Sequence, residues 1–156
     1  MKSVLLRGNR LSKQFSFGRQ KTAVLQDVDL LLYEGDFTII MGASGAGKST
    51  LLYALSGMDS ITSGEVWYRE NLLSALSENE LATLRGREFG FVFQQTHLVS
   101  NLTLLENILV AGYVSKKFSP QEVQQRAAEL LRQMGVESAK DRLPTQVSGG
   151  EAQRAA

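Results

Sequence analysis

The residues with the clearest chemical potential are Gly42 to Thr50, which read G-A-S-G-A-G-K-S-T and combine three glycines, a lysine and three hydroxyl side chains. Glycines at these spacings let a backbone wrap closely around a phosphate chain, because a Cβ would bar the required conformations. Lys48 adds a positive charge for the β- and γ-phosphates, and the Ser49 hydroxyl is placed to bind Mg²⁺. We call this stretch the phosphate cradle; its candidate binding residues are Gly42, Ala43, Ser44, Gly45, Ala46, Gly47, Lys48, Ser49 and Thr50.

The segments on either side of the cradle favour a real site over a glycine-rich turn that matches by chance. The apolar run Phe37–Met41 predicts a buried strand before the cradle. Leu51, Leu52, Ala54 and Leu55 have helical spacing and predict a helix after it. A helix that starts at the cradle directs unpaired amides and the positive end of its dipole at a bound anion. The sequence therefore predicts nucleotide binding.

The composition sets limits without deciding the function. With 156 residues, of which 43% are hydrophobic, the chain can fill one core, so we expect one domain. A net charge of +1 and the lack of a basic block give no reason to expect nucleic acid as a partner. The chain has no cysteine, which excludes disulfides and thiolate metal sites. No run of apolar residues approaches the ~18 needed to span a membrane, so we expect a soluble or peripheral protein.

Alternating apolar residues and turn signals predict several strands. Val24, Val28, Leu30 and Leu32 are expected to share one face of a strand that ends at Tyr33, and Glu34–Asp36 to turn the chain back along residues 37–41. The predicted strands are Val4–Leu6, Val24–Tyr33, Phe37–Met41, Ser63–Tyr68 and Phe89–Phe93.

Capping signals predict the helices. A Ser or Thr followed three residues later by Glu is typical of a helix start, and it occurs at Ser77, Thr103 and Ser119. Apolar residues after Ser119 form a stripe that we interpret as core and not as a cofactor site: Val123, Ala127, Leu130, Leu131 and Met134. Gly135 is expected to end that helix.

Three strings stand in a characteristic order: the cradle, G-F-V-F-Q at 90–94, and V-S-G-G-E at 147–151. Together they resemble the ATP-binding cassette (ABC) family, the nucleotide-binding subunits of ABC transporters, and the resemblance covers essentially the whole chain. Ser148 to Glu151 is similar to the signature motif of that family. A cradle alone would indicate only a P-loop NTPase.

The resemblance implies a role for each matching residue, with ATP and Mg²⁺ as the ligands. Phe15 is similar to the aromatic residue that stacks on adenine, although a strand-end aromatic in a core is the alternative. Gln94 matches the glutamine that reaches Mg²⁺ and the attacking water. The resemblance therefore makes Gln94 and Lys48 the catalytic candidates, and Gln94 and Ser49 the metal-binding candidates. Ser148, Gly149 and Gly150 look like the groups that bind the γ-phosphate of ATP held by a second cassette. ATP would then lie between two cassettes arranged head to tail.

The resemblance also implies the fold class, α/β, with the ABC-type cassette of a P-loop NTPase. Such a cassette has an antiparallel β subdomain, a mixed or parallel core sheet, here partial, and an α-helical subdomain. The expected boundaries within one domain are 1–95 for the β subdomain and cradle core, 96–147 for the helical subdomain, and 148–156 for the start of the signature helix. A transmembrane permease is the implied partner, at the cytoplasmic face of the membrane.

A finer resemblance, to the lipoprotein-releasing, macrolide-exporting and bacitracin-exporting group, rests on the strings at 59–65, 80–85, 90–94 and 102–107. Ile61 stands where that group usually has proline, and Val147 where the signature usually has leucine; both changes are apolar. The function implied is export or release of a substrate, coupled to ATP binding and hydrolysis.

One expected feature is missing from the chain, an apolar strand that ends in Asp-Glu to hold Mg²⁺ and polarise the attacking water. His97 cannot serve as the switch histidine of the family, because it lies only three residues after Gln94 in the same loop, and we expect it to be an exposed side chain. We therefore expect a C-terminally truncated cassette without appreciable ATPase activity. In the family, other strands separate the segments at 37–41 and 89–93, so a gap in the core is expected here, with strand edges and apolar faces exposed.

Two other function classes remain open. A soluble ABC-type ATPase of the DNA-repair, chromosome-maintenance or ribosome-associated kind shares the three strings, but the chain has no long coiled coil and no basic stretch. A non-hydrolysing regulatory or nucleotide-binding module is the second alternative, and the expected truncation makes it possible.

Overall fold

The computed structural model describes residues 2–156, which form two compact units, one up to Arg85 and one from Gly86 onward. The strands are β1 (Val4–Phe17), β2 (Gln20–Tyr33), β3 (Ser63–Tyr68) and β4 (Asn71–Leu72). The α-helices are α1 (Lys48–Leu55), α2 (Glu78–Glu88), α3 (Leu104–Ser115), α4 (Pro120–Gln133) and α5 (Gly149–Ala155). Short 3₁₀ helices lie at Leu73–Ala75, Glu137–Ala139 and Pro144–Gln146.

The first unit is built on a four-stranded antiparallel sheet with the strand order β2-β1-β3-β4. β1 and β2 form a long hairpin around Gly18, whose φ of 60° suits the tight turn. β1 extends well beyond the predicted Val4–Leu6, because it is hydrogen-bonded to a neighbour on each side, β2 and β3. The predicted strand at Ser63–Tyr68 is confirmed as β3.

The pairing of β1 with β2 is irregular, and this changes which side chains face the core. Register shifts flank Lys13, and Asp27 on β2 has a left-handed φ of 51°. An irregularity of this kind moves the following residues to the other face of a strand. Leu25 is therefore buried and Val24 only partly so, which corrects the predicted face of β2.

The core of the first unit lies where α1 packs on the sheet. Its buried apolar side chains are Leu6, Leu11, Leu25, Ala54, Leu55, Val66, Tyr68, Leu73 and Leu81. This packing fixes the helix that follows the phosphate cradle against β1, β2 and β3.

The second unit is helical, and its helices begin where the capping signals predict. Thr103 caps α3 and Ser119 caps α4, each through a complete capping box with the Glu three residues later. Gly135 takes a left-handed φ of 65° just after α4, as expected for a helix end. The core of this unit consists of Leu104, Leu131, Val136, Ala139 and Ala155. The stripe on α4 is narrower than predicted, because Leu130 and Met134 are exposed.

Two predicted strands, Phe37–Met41 and Phe89–Phe93, are not strands in the structure. A strand needs neighbours for its backbone hydrogen bonds, and neither segment is paired with another strand within residues 2–156. The predicted partial mixed or parallel core sheet is therefore absent from these residues, whose sheet is entirely antiparallel. Several of their apolar side chains are exposed, as expected for an open core: Phe37 is 92% exposed and Val92 is 91% exposed, whereas the three phenylalanines of 89–93 are half-buried.

Candidate nucleotide-binding site

Two of the three glycines in the phosphate cradle take the left-handed backbone conformation that the sequence predicts, and Gly42 does not. Gly45 and Gly47 have φ values of 80° and 83°, in the left-handed region that side chains with a Cβ rarely adopt. Gly47 also lies close to β2, since a Cβ at this position would be 3.0 Å from the carbonyl oxygen of Val24. The Ala46 N–H donates to the Ala43 carbonyl at 3.2 Å and closes a turn within the cradle.

The helix that follows the cradle begins without a side-chain cap. Gly47 occupies the N-cap position of α1 and has no side chain to offer, whereas α3, α4 and α5 each begin with a capping box. The first amides of a helix have no acceptor within the helix itself. The first turn of α1 is therefore suited to accept an anion from outside the chain.

The ammonium group of Lys48 lies over the cradle. Its Nζ donates to the carbonyl oxygens of Gly42 at 2.9 Å and Ala43 at 2.7 Å. These neutral acceptors hold the positive charge inside the loop, at the place where a phosphate chain would bind. Because a phosphate oxygen makes a stronger, charge-assisted bond, the ammonium can exchange these acceptors for a phosphate.

Phe15, the candidate for adenine stacking, lies near the end of β1, where it pairs with Thr22 of β2. Its side chain is half-buried, and the Lys13 ammonium lies 5.0 Å from the centre of its ring. This partial exposure is compatible with adenine stacking and with the alternative of a strand-end aromatic in a core.

Gln94 belongs to the second unit and its side chain is exposed. It follows a row of stacked rings, in which the centroids of Phe89 and Phe91 are 6.2 Å apart and those of Phe91 and Phe93 are 5.8 Å apart. His97 is exposed, as predicted, and its ring meets that of Phe93 edge-on at 5.2 Å. The rings thus order the segment that leads to Gln94.

Ser148 caps helix α5 in the same way that Ser119 caps α4. Its hydroxyl donates to a Glu151 carboxylate oxygen at 2.7 Å and accepts from the Glu151 N–H at 3.3 Å. The hydrogen bond from this hydroxyl, followed by that from the Ser148 backbone N–H, lowers the pKa of Glu151 from its ordinary value. Gly149 and Gly150 are exposed beside it.

The chain that carries the cradle, Gln94 and Ser148 matches a known protein family. A family model described as ABC transporter matches residues 25–156. The chain belongs to the ABC transporter family. This family binds ATP, and its ATPases hydrolyse it, so the expected family and the expected cassette fold are both confirmed.

Relatives of this ABC chain include one curated protein and two solved structures. Over all 156 residues the chain is 39% identical to the lipoprotein-releasing system ATP-binding protein LolD of Idiomarina loihiensis, of which it covers 68%. Two structures of the cassette MJ0796 match 97% of the chain with a TM-score of 0.90 and 34% identity, and the chain covers 66% of each. One is described as a dimeric post-hydrolysis state bound to ADP and Pi, the other as a dimeric bacterial ABC transporter cassette. The chain thus spans about two thirds of the length of these relatives.

The side chains available as metal ligands indicate which metal ion this ABC chain could hold. Residues 2–156 contain no cluster of three or more His, Cys, Asp or Glu side chains suited to a metal ion. Ser49 and Gln94 carry neutral oxygens on exposed side chains. Such ligands fit Mg²⁺, which keeps several waters and takes much of its coordination from substrate phosphates.

None of the helices within residues 2–156 has the length and apolar character needed to cross a membrane.

Sequence reasoning missed Lys13, a lysine that is almost fully buried beside Phe15. The alternation Leu11, Lys13, Phe15 along β1 could have indicated it, because residues two apart on a strand share a face.

Proposed function

We propose that the chain is the ATP-binding part of an ABC transporter ATPase and that the phosphate cradle holds the β- and γ-phosphates. The observation that carries this proposal is the cradle geometry, in which Gly45 and Gly47 have left-handed φ values and α1 has no side-chain cap. Lys48 contributes the positive charge, and its bonds to Gly42 and Ala43 keep it within the loop until a phosphate replaces them.

The proposed roles of the remaining site residues follow from the family. Ser49 and Gln94 would provide oxygens to Mg²⁺, which when bound neutralises charge on the phosphates. Gln94 would also orient the attacking water, and Phe15 would stack on adenine, as aromatic rings do with any base.

Replacing Lys48 tests nucleotide binding. We expect Lys48→Ala to weaken ATP binding by at least tenfold, because it removes charge-assisted hydrogen bonds that contribute about 1.5–3 kcal/mol. Isothermal titration calorimetry measures the affinity, and Lys21→Ala, an exposed lysine on β2, is the matched control. Equal affinities for ATP in the two variants would contradict the proposal.

We further propose that two cassettes enclose ATP head to tail, with Ser148, Gly149 and Gly150 of one facing the γ-phosphate held by the other. Both MJ0796 structures are described as dimeric, which supports this arrangement. The Ser148 hydroxyl now donates to Glu151, so it must turn away from that carboxylate to donate to a phosphate.

Matched cap variants test the dimer. Ser148→Ala and Ser119→Ala each remove the hydroxyl of a capping box, from α5 and α4 respectively. We expect both to lose a similar amount of helix stability, about 1 kcal/mol, but only Ser148→Ala to lose dimerisation driven by ATP. Light scattering after gel filtration measures the mass. Identical behaviour of the two variants would assign Ser148 a capping role alone.

We propose that the cassette works at the cytoplasmic face of the membrane as a peripheral subunit, together with a transmembrane permease, to export or release a substrate. Similarity to LolD, whose name places it in a lipoprotein-releasing system, supports this. The proposed division is 1–95 for the β subdomain and cradle core, 96–147 for the helical subdomain, and 148–156 for the start of the signature helix. Co-purification with a membrane protein after expression in a bacterial host tests the partnership; recovery without any membrane protein would count against it.

We propose that the 156-residue chain by itself does not turn over ATP, because it contains no Asp-Glu pair at the end of an apolar run. A phosphate-release assay should give the same rate for the purified chain and for Lys48→Ala. Turnover above that control would refute this. Tight ATP binding by a stable monomer without turnover would instead favour a non-hydrolysing binding module.

A further inference from the structure

Lys13 is a charged residue in an unusual place. It lies within β1 and is only 7% exposed. Its Nζ donates to an Asp59 carboxylate oxygen at 2.7 Å and also to the carbonyl and, at 3.5 Å, the hydroxyl of Ser60. An ammonium group is costly to bury even when it is paired, so an apolar residue would be the simpler choice if only packing mattered here.

The same ammonium lies on the face of an aromatic ring. The Lys13 Nζ is 5.0 Å from the centre of the Phe15 ring, two residues farther along β1. A cation over a ring is attracted by the negative face of the π-system, which restricts the orientation of the ring. Because a ring has two faces and Phe15 is only half-buried, the cation leaves part of the ring accessible.

Lys13 also connects Phe15 to the helix of the phosphate cradle. The N–H groups of Met58 and Asp59 donate to the Tyr53 carbonyl in α1, at 2.9 Å and 3.2 Å. Asp59 in turn holds the Lys13 ammonium, and the ammonium lies on Phe15. A continuous chain of polar contacts therefore runs from α1 to the ring.

The segment after α1 is held to β1 at two more points. The Thr62 N–H donates to the Ser12 carbonyl at 2.8 Å, and the Gln14 N–H donates to the Thr62 hydroxyl at 2.9 Å. The anchor that Lys13 uses is thus itself fixed to the strand that carries Phe15.

We propose that Lys13 is a positioning residue for the base of the nucleotide. Its ammonium, anchored by Asp59, holds the Phe15 ring at a set place relative to the cradle helix, with one ring face left for the base. This inference rests on the proposed stacking role of Phe15.

The readout is the ratio of the affinities for ATP and for ribose 5′-triphosphate, measured by calorimetry on the 156-residue chain. Both ligands carry the same phosphates, so a loss of positive charge near the site weakens both and cancels in the ratio. We expect Phe15→Ala to lower the ratio about tenfold, within the range for base stacking on an aromatic ring. The double variant Lys13→Met with Asp59→Asn, which leaves no buried charge unpaired, should lower it about threefold or more.

Two further variants act as controls. Lys13→Arg keeps a cation at the ring and should keep most of the wild-type ratio. Arg7→Met removes a comparable cation, which lies 5.1 Å from the Trp67 ring in the same sheet, and should leave the ratio unchanged. If the double variant does not fold, Asp59→Ala alone removes the side-chain acceptor that anchors the Lys13 ammonium and should still lower the ratio.

The outcomes separate this inference from the proposed function. A lowered ratio in Phe15→Ala with an unchanged ratio in the folded Lys13 or Asp59 variants would overturn the positioning role and keep the stacking role. An unchanged ratio in Phe15→Ala would overturn both. A ratio lowered equally in Arg7→Met would overturn the inference as well, because the effect would then not be specific to Lys13.

Discussion

Gly47 is the residue at which the phosphate cradle meets the sheet, and two constraints act on it at once. Its φ of 83° disfavours any Cβ, and a Cβ would also lie 3.0 Å from the Val24 carbonyl oxygen. We expect Gly47→Ala to lower the free energy of unfolding by at least about 2 kcal/mol and to weaken ATP binding, because the loop must shift. Urea denaturation and calorimetry measure the two effects.

Gly45 is the matched control for this prediction. It has nearly the same φ, 80°, but a Cβ there would meet no atom within 4 Å. Gly45→Ala should therefore cost only the conformational part, about 1–2 kcal/mol. Equal losses of stability in the two variants would show that the contact with Val24 does not matter.

At the scale of secondary structure, the packing of α3 on α4 depends on Gly112. A Cβ on this residue would lie 2.4 Å from a methyl carbon of Val123. We expect Gly112→Ala to destabilise the protein by about 1–3 kcal/mol, because the two helices must move apart. Gly86→Ala is the control, since that helical glycine has open space around it and should gain about 0.5–1 kcal/mol. A neutral Gly112→Ala in urea denaturation would contradict the prediction.

The capping box of α4 should make its stability depend on pH. Hydrogen bonds from the Ser119 hydroxyl and backbone N–H lower the pKa of Glu122 from its ordinary value of 4.5. Because the folded pKa is the lower one, Glu122 stabilises the protein above pH 4.5, and this contribution is lost as the pH falls through the folded pKa. The difference in unfolding free energy between wild type and Glu122→Gln should therefore be largest near neutral pH and shrink in acid.

Glu151 offers an independent check, because hydrogen bonds from Ser148 lower its pKa in the same way. Denaturation series at several pH values should give the same trend for Glu151→Gln. If the difference in unfolding free energy between wild type and each Gln variant stays constant from neutral to acidic pH, the capping carboxylates do not cause the pH dependence.

Sequence reasoning succeeded for the helix starts and for the strand at Ser63–Tyr68, but it failed for the two strands predicted at 37–41 and 89–93. A capping box needs only four consecutive residues, so Ser119 and Thr103 could be recognised from the sequence alone. A strand depends on partners that are distant in sequence, and Phe37–Met41 has none within residues 2–156. The shifted face of Leu25 follows from irregular pairing between β1 and β2, which no local pattern encodes.

The same distinction applies to the candidate site. Candidate roles for the cradle, Gln94 and Ser148 could be predicted because each lies in a short string with a definite order. The contacts that hold Lys48 on the loop carbonyls and Lys13 on Phe15 are properties of the folded chain. They could be found only in the structure.

At the scale of the whole molecule, the exposed segments 37–41 and 89–93 should make the chain associate with itself. We expect the double variant Phe37→Lys with Val92→Lys to remain monomeric at higher concentration than wild type. Its unfolding free energy should change by less than about 0.5 kcal/mol, because both side chains are already in solvent. Sedimentation velocity over a range of concentrations measures the association.

Leu104→Lys is the contrasting variant, because this side chain is fully buried in the second unit. An unpaired buried charge should cost several kcal/mol and unfold the helices. If the double variant lost as much stability as Leu104→Lys, the two exposed segments would have to be packed in solution.

The start of α1 has a consequence for how the chain responds to its ligand. Because Gly47 offers no cap, a bound phosphate would complete this helix in the way that Thr103 and Ser119 complete theirs. Binding and local folding are then one equilibrium, and the ligand adds RT ln(1 + [L]/Kd) to the stability of the folded state. Amide hydrogens in the first turn of α1 should therefore exchange with solvent more slowly as the nucleotide concentration rises, so their exchange rates would report the fraction of chains with bound nucleotide.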